Sequence, residues 1–304
     1  MFETFIRDIG PYPVKGHVST MKYRLQKTGV FACAMLCGLT MLLAADTEKS
    51  NSKAIDDYNF AVWLYNSGKY ELAAESYAAF LQNHPDYERA ADARFGLAQA
   101  LFHTDKFEQA AKEYEKVRSD RPDFAQAAEL LFQLSQAYVA LGRFTEAVPL
   151  FTQLREKYPA HYLADWAMAR QAACLISLGK NQEAEALLKL FTEKYAADGA
   201  KEMLQKLDKA GIKAGDAFLS LVERSVVNHA FAQFNQDRFD DAQKTFDRFL
   251  SKYPKSDLQE EARFRLAQSL YRQAAYSKAA AAYEQIADGA GTFAEPAGYE
   301  WGLA

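Results

Sequence analysis

The chain is poor in the residues that interrupt helices and in those that carry metal or redox chemistry. It has 8 prolines and 15 glycines in 304 residues, punctuation too sparse for an all-β protein built from many turns. Long helices are the favoured reading. Three cysteines cannot make a disulfide framework, and the five histidines are scattered. Neither sign of charge dominates: 36 basic against 40 acidic side chains leave a net of −4, so a nucleic-acid partner held through its phosphates has no global electrostatic support. What is present, 49% hydrophobic and 25% charged side chains, is the composition of an ordinary folded protein rather than a disordered, collagenous or polytopic membrane chain.

One long apolar run exists, near the start. Residues 1–20 carry Gly10, Pro11 and Pro13, which break any helix there. Met21 then opens a different pattern: Lys22, Arg24 and Lys27 supply positive charge, and Gly29 to Leu43 runs 15 residues without a charge, followed by Ala44, Ala45 and Asp46. This reads as a secretory signal with Met21 as the translation start, occupying residues 1–45 together with its upstream extension. An uncleaved anchor, with membrane association through the same segment, is the alternative, although Val30 to Ala45 is short of the roughly 20 apolar residues a spanning helix needs. A lipoprotein cysteine is not in place, because Cys33 and Cys37 lie inside the run. Positions 1–45 hold 5 basic and 2 acidic side chains, which leaves 31 basic against 38 acidic, a net of −7, for the exported part. Cys174 is then its only thiol, which suits an oxidising compartment. The expected location is the periplasm or cell envelope.

The decisive feature is a repeat. Gly68-Lys69-Tyr70 with Ala73, Tyr77, Phe80, Leu81 and Pro85 recurs 37 residues later as Asp105-Lys106-Phe107 with Ala110, Tyr114, Val117 and Pro122. It recurs again as Gly142-Arg143-Phe144 with Ala147, Phe151, Leu154 and Pro159, and as Gly179-Lys180-Asn181 with Ala184, Leu188 and Phe191. The register then slips by 21 residues and resumes at Asp237-Arg238-Phe239 with Ala242, Phe246, Phe249 and Pro254, then at Tyr276, Ala279, Tyr283 and Ile286. Ala147, Phe151 and Leu154 stand at i, i+4 and i+7, one face of a helix, and proline closes the unit because it cannot continue that helix. A preceding helix has its own signature, Phe-x-Leu-small, at Phe95, Phe132 and Phe264, with a small column at Ala61, Ala98, Ser135, Ala172, Ala230 and Ala267. Each unit therefore reads as two antiparallel helices in close approach.

These residues resemble the tetratricopeptide repeat (TPR) family, with its Leu-small pair, Gly-x-Tyr, packing Ala, following aromatic and terminal Pro. The 37-residue period, longer than the family's usual 34, is similar to the repeats of the periplasmic TolA-binding protein and of BamD-like outer-membrane assembly proteins. The resemblance implies an all-α fold, a right-handed α-α superhelix of about six helix-turn-helix units: units 1–4 over 54–195, a break at 196–216, and units 5–6 with the start of a seventh over 217–304. Within the break, Ala200 to Ala210 reads as a short amphipathic helix ended by Gly211, interrupting or bending the array. Trp301 to Ala304 repeats the start of a first helix, so the chain reads as truncated.

No catalytic constellation is present: His-Glu-x-x-His, Gly-x-Ser-x-Gly and, beyond residue 45, Cys-x-x-Cys are all missing, and Gly68-Lys69 lacks the flanking residues of a phosphate loop. The expectation is a non-enzymatic protein without cofactor or metal. Cys174 shares a column with Ala100, Ala137, Ala232 and Ser269 and reads as a packing residue. In TPR arrays the first helices line the concave surface. The resemblance therefore implies that Tyr65, Phe102, Phe234 and Tyr271 lie near a peptide-binding groove with Gln99, Gln136 and Gln268 beside them. Glutamine donates and accepts hydrogen bonds together, which suits a peptide backbone, and aromatics suit an interface core. The functional expectation is a scaffold binding a protein or peptide segment in the bacterial cell envelope. The alternative is the non-catalytic arm of a larger enzyme or export and assembly machine.

Overall fold

The computed structural model describes residues 37–304 except 197, 198 and 290, with side chains described from residue 52 onward. The basic stretch after Met21 and most of the apolar run lie outside the described residues, and so does any judgement of the export signal. Fourteen helices make up the described chain. The first five are α1 (Cys37–Asn66), α2 (Tyr70–Asn83), α3 (Ala90–His103), α4 (Phe107–Asp120) and α5 (Ala127–Ala140). They are followed by α6 (Phe144–Lys157), α7 (Leu163–Ser177), α8 (Asn181–Lys194) and α9 (Gly199–Lys209). The last five are α10 (Gly215–Phe234), α11 (Phe239–Lys252), α12 (Gln259–Arg272), α13 (Tyr276–Ala287) and α14 (Ala294–Leu303). The architecture is an all-α TPR solenoid of about seven helix pairs. No described helix is long and apolar enough to cross a membrane.

The turn inside each pair follows from its sequence. The second residue before each second helix must adopt a left-handed conformation, and the column that does so is Gly68, Asp105, Gly142, Gly179, Asp237 and Ala274, all with φ between 57° and 73°. The next residue then donates its N–H to the carbonyl five residues back: Lys69 to Leu64, Lys106 to Leu101, Arg143 to Tyr138, Lys180 to Leu175, Arg238 to Gln233 and Ala275 to Leu270, at 2.8–3.1 Å. This is the Schellman closure, in which orphan carbonyls at a helix end are satisfied by the chain that leaves it. Glycine takes the left-handed position without a Cβ penalty and aspartate at modest cost.

The chain separates into two compact units, one ending at Ala137 and the other beginning at Tyr138, within α5. In the first, α2 packs on α1 and α3, α3 on α4, and α1 also touches α3. Ala61, Ala98 and Ser135 are fully buried, as are Ala73 and Ala110 of the second helices. Ser135 satisfies its hydroxyl by donating to the Leu131 carbonyl at 2.7 Å, which lets a polar residue occupy the small column.

In the second unit, Ala172, Ala230 and Ala267 are likewise without exposed surface, as are Ala147, Ala184, Ala242 and Ala279. The added α9 buries Met203 and Leu207, one turn apart on the same face, and ends at Gly211 (φ 65°). It does not separate the pairs on either side, because α8 packs directly on α10, and α10 also touches α7 and α9. The array logic of one first helix resting on the preceding pair therefore carries on across the 21 extra residues.

Candidate functional site

The aromatic residues expected near a groove have a structural partner each. In the unit ending at Ala137, Tyr65 meets Tyr70 edge-on at 5.4 Å, and Phe102 meets Phe107 at 5.1 Å. Beyond Tyr138, Phe234 meets Phe239 at 5.2 Å, and Tyr271 meets Tyr276 at 5.3 Å. All four pairs are i, i+5 clasps across the Schellman turn, edge-to-face as aromatic quadrupoles prefer. Each of the four leading rings stays half-buried, so the clasp uses one edge and leaves part of the ring open.

His103 joins the first clasp. Its ring stacks on Tyr70 at 4.3 Å, and its Nε2 lies 3.1 Å from the Tyr65 hydroxyl. Burial pushes the Tyr65 hydroxyl pKa up, with a smaller contribution from Tyr70, and burial holds His103 below the ordinary histidine value. Both groups are therefore neutral partners in one hydrogen bond at neutral pH.

The glutamine row is less open than its pattern implied. Gln99 and Gln136 are buried, at 7% and 1% exposure, and neither Gln99 Nε2 nor either polar atom of the Gln136 amide has a hydrogen-bond partner among the described residues. Gln268 is half-buried and accepts a hydrogen bond from Arg265 Nη1 at 2.8 Å. Cys174 is buried in its small column, and burial pushes its thiol pKa up to about 12, with Arg170 opposing weakly.

A cavity of about 260 Å³ lies within the unit that begins at Tyr138, between α7, α10 and the α11–α12 loop. Ala169 and Ala173 of α7, Ala217 and Leu221 of α10, and Leu258 of the loop form its apolar wall. Two basic residues, Arg170 and Arg224, and two acidic ones, Glu223 and Asp257, also line it; Arg224 is paired with Glu261 of α12 at 2.5 Å. Asn228 also lines it. That residue is 8% exposed.

Ala169 stands in the column of Phe95, Phe132 and Phe264, and Val227 is its neighbour in the next unit. Elsewhere this column holds a ring that fills the space under the following loop: Phe95 rests on Phe124 at 5.4 Å, and Phe264 on Phe293 at 5.1 Å. The loop position of Phe124 and Phe293 is Ser256 in the loop that borders the cavity. In the repeat register Ser256 is the partner of Val227 and residue 198 that of Ala169, so Ala169 and Ser256 line one cavity without being a ring pair of the repeat. Sequence reasoning that followed the aromatic members of the column passed over the positions where they are missing.

Trp63 was missed in the same way. It occupies the small column of Ala100, Ala137, Cys174, Ala232 and Ser269, all of which are buried. It is 54% exposed and stacks on Phe60 at 6.0 Å.

Family profiles described as Tetratricopeptide repeat match residues 58–124 and 228–294 and residues 138–207. The chain belongs to the tetratricopeptide repeat family. No curated protein sequence matches it. Among solved structures, a tetratricopeptide repeat protein from Parabacteroides merdae ATCC 43184 is similar at 16% identity, over 77% of this chain and 79% of that one, with a TM-score of 0.56. YrrB, described as a TPR protein with an unusual peptide-binding site, is similar at 19% identity, over 72% and 96%, with a TM-score of 0.54. MamA from Desulfovibrio magneticus RS-1 is similar at 15% identity, over 64% and 92%, with a TM-score of 0.50. At these identities the likeness is one of fold.

Proposed function

We propose that this chain is a non-enzymatic scaffold that holds a protein or peptide segment against its first helices, in the bacterial cell envelope. The observation that carries the reading is Asn228. It lines a cavity between two first helices, and an asparagine amide donates and accepts hydrogen bonds together. The description of YrrB as a peptide-binding TPR protein supports the same class of ligand. The envelope location rests on the basic stretch Lys22 to Lys27, the apolar run Gly29 to Leu43 and a 37-residue period that resembles TolA-binding and BamD-like repeats.

Selection from a random dodecapeptide library against the full chain tests the binding reading: reproducible enrichment of a peptide motif is the expected result, and no enrichment refutes it. Location is tested separately by fractionating cells that express the tagged full-length chain. Recovery with the envelope is expected, and recovery wholly in the cytosol would remove that part of the proposal.

A further inference from the structure

We propose that the outer face of α1, centred on Phe60 and Trp63, joins two copies of this chain in a symmetric dimer whose α1 helices cross antiparallel. The proposal stands on the unit that ends at Ala137 and does not depend on the peptide-binding reading. Trp63 carries it first. The other members of its column, Ala100, Ala137, Cys174, Ala232 and Ser269, are all buried, whereas Trp63 is 54% exposed. Ala232 shows what seals such a position: it packs with Ala172 and Leu175 of α7 and with Ala184 and Leu188 of α8, the pair before its own helix. In α1, which runs unbroken from Cys37, no earlier pair stands in that place among the described residues. An indole would also overfill a contact built for alanine. The ring instead stacks on Phe60 at 6.0 Å, with 19° between their planes, and Phe60 is equally open.

Charge identifies the occupant. Asp56 is exposed and stands at i, i+4 and i+7 with Phe60 and Trp63, on the same helical face. At the other end of the rings Lys69 reaches back, its Nζ 5.2 Å from the centroid of the Trp63 ring. Lys53 lies a further turn out. An antiparallel two-fold crossing sets Phe60 of each copy on Trp63 of the other and brings Asp56 of each to Lys69 of the other. Parallel pairing would oppose acid to acid and base to base. A two-fold interface requires this kind of self-complementarity, since the same patch serves both sides, and like charges brought together select against the wrong register. A uniformly acidic or basic partner gains no comparable match. Each ring keeps about half its surface open, so four rings bring roughly 400 Å² to the pair, a small core that fits a reversible dimer rather than an obligate one.

The test co-expresses two differently tagged full-length chains and measures how much of one is captured with the other. Parent chains are expected to capture each other, and Trp63→Ala in both is expected to reduce capture at least fivefold while the thermal midpoint stays near that of the parent. Asp56→Lys paired with itself, and Lys69→Asp paired with itself, place like charges at both ends of the crossing and are each expected to lose at least fivefold. Asp56→Lys paired with Lys69→Asp restores opposite charges at both ends and is expected to recover parental capture. Because all four residues are exposed, these variants test the contact without opening the core. Parent chains that fail to capture each other would overturn the dimer. Capture that ignores the charge reversals, or a mixed pair no better than the like pairs, would place association elsewhere in the chain and overturn this face as its seat.

Discussion

The carboxylate of Glu185 on α8 is the acceptor that ties the array together across its insertion, with Arg238 Nη1 2.7 Å from each of its oxygens. Gln236 Nε2 donates to it at 2.9 Å and Gln233 Nε2 at 3.4 Å, so three donors from the α10–α11 turn converge on one side chain of the preceding pair. Burial pulls the Glu185 pKa upward, but hydrogen bonds from Gln236 and Arg238 outweigh it and hold the group below the ordinary glutamate value.

Glu185→Ala is therefore expected to lower unfolding free energy by about 1–2 kcal/mol, because hydrogen bonds to a charged group are lost while Arg238 remains partly solvated. The pH dependence follows from the depressed pKa. The contribution is complete above the ordinary glutamate range and disappears as pH falls through the lower, folded-state value. Urea unfolding of the parent and of Glu185→Gln at pH 7 and at acid pH measures this. If both proteins lose stability equally on acidification, the network is not the source.

Backbone conformation supplies a prediction in the opposite direction. Ala274 holds φ 59° at the left-handed turn position that Gly68, Gly142 and Gly179 occupy in other units. Left-handed φ costs a Cβ-bearing residue roughly 1–2 kcal/mol, offset in part by the entropy glycine loses on folding. Ala274→Gly is expected to stabilise by about 0.5–1 kcal/mol. The reverse change, Gly142→Ala, meets no atom within 4 Å of the added Cβ and is expected to cost about 1 kcal/mol through φ alone. Thermal melts of the two variants should move apart, and shifts of the same sign would contradict the turn assignment.

Much of this fold could be read from columns of residue size. Where two helices approach, only a small side chain fits, and Ala61, Ala98, Ser135, Ala172, Ala230 and Ala267 obey that constraint in every unit. Their spacing alone implies the helix pairs. The site was less legible, for a physical reason. A row of glutamines looks the same in sequence whether it faces solvent or is sealed, and Gln136 is sealed. The clasp of Tyr65 on Tyr70 and of Tyr271 on Tyr276 depends on the turn that brings i and i+5 together, which a helix-face argument for Tyr65 and Tyr271 alone does not include. The cavity lies between residues that no shared column marks, and periodicity searches register what recurs.

Close approach makes the packing alanines intolerant of volume. Ala147 has no exposed surface and lies on the same face of α6 as Phe151 and Leu154, both also fully buried. Ala147→Trp would force the indole between helices that have no room for it, with an expected cost of about 3 kcal/mol or more. A drop in thermal midpoint accompanied by local loss of amide protection is the predicted signature. A variant with the parental midpoint would mean that this face of α6 is not in the core.

Two histidines make the array sensitive to mild acid. Burial holds His103 below the ordinary histidine value. The same is true of His229, where burial outweighs the opposing pull of Glu185. A depressed folded-state pKa means that the unfolded chain binds protons first, so stability is complete above the ordinary histidine range and falls as pH drops through and below it. His103→Phe keeps a ring to stack on Tyr70 and removes the titrating group. The difference in thermal midpoint between pH 7.5 and pH 5 is expected to be smaller in this variant than in the parent, and an unchanged difference would clear His103 of the effect.

Cys174 provides a probe of the same packing from the reactive side. Burial in the small column pushes its thiol up to about 12, and alkylating and disulfide reagents attack the thiolate rather than the thiol. At pH 8 the native residue is therefore both almost wholly protonated and sterically covered. In a chain carrying Cys33→Ser and Cys37→Ser, which leaves this single thiol, labelling by a disulfide reagent is expected to proceed only through opening of α7 from its neighbours. The labelling rate should rise steeply with sub-denaturing urea and match free cysteine once the chain unfolds. Labelling in native buffer at the rate of free cysteine would show that the column around Cys174 is not closed.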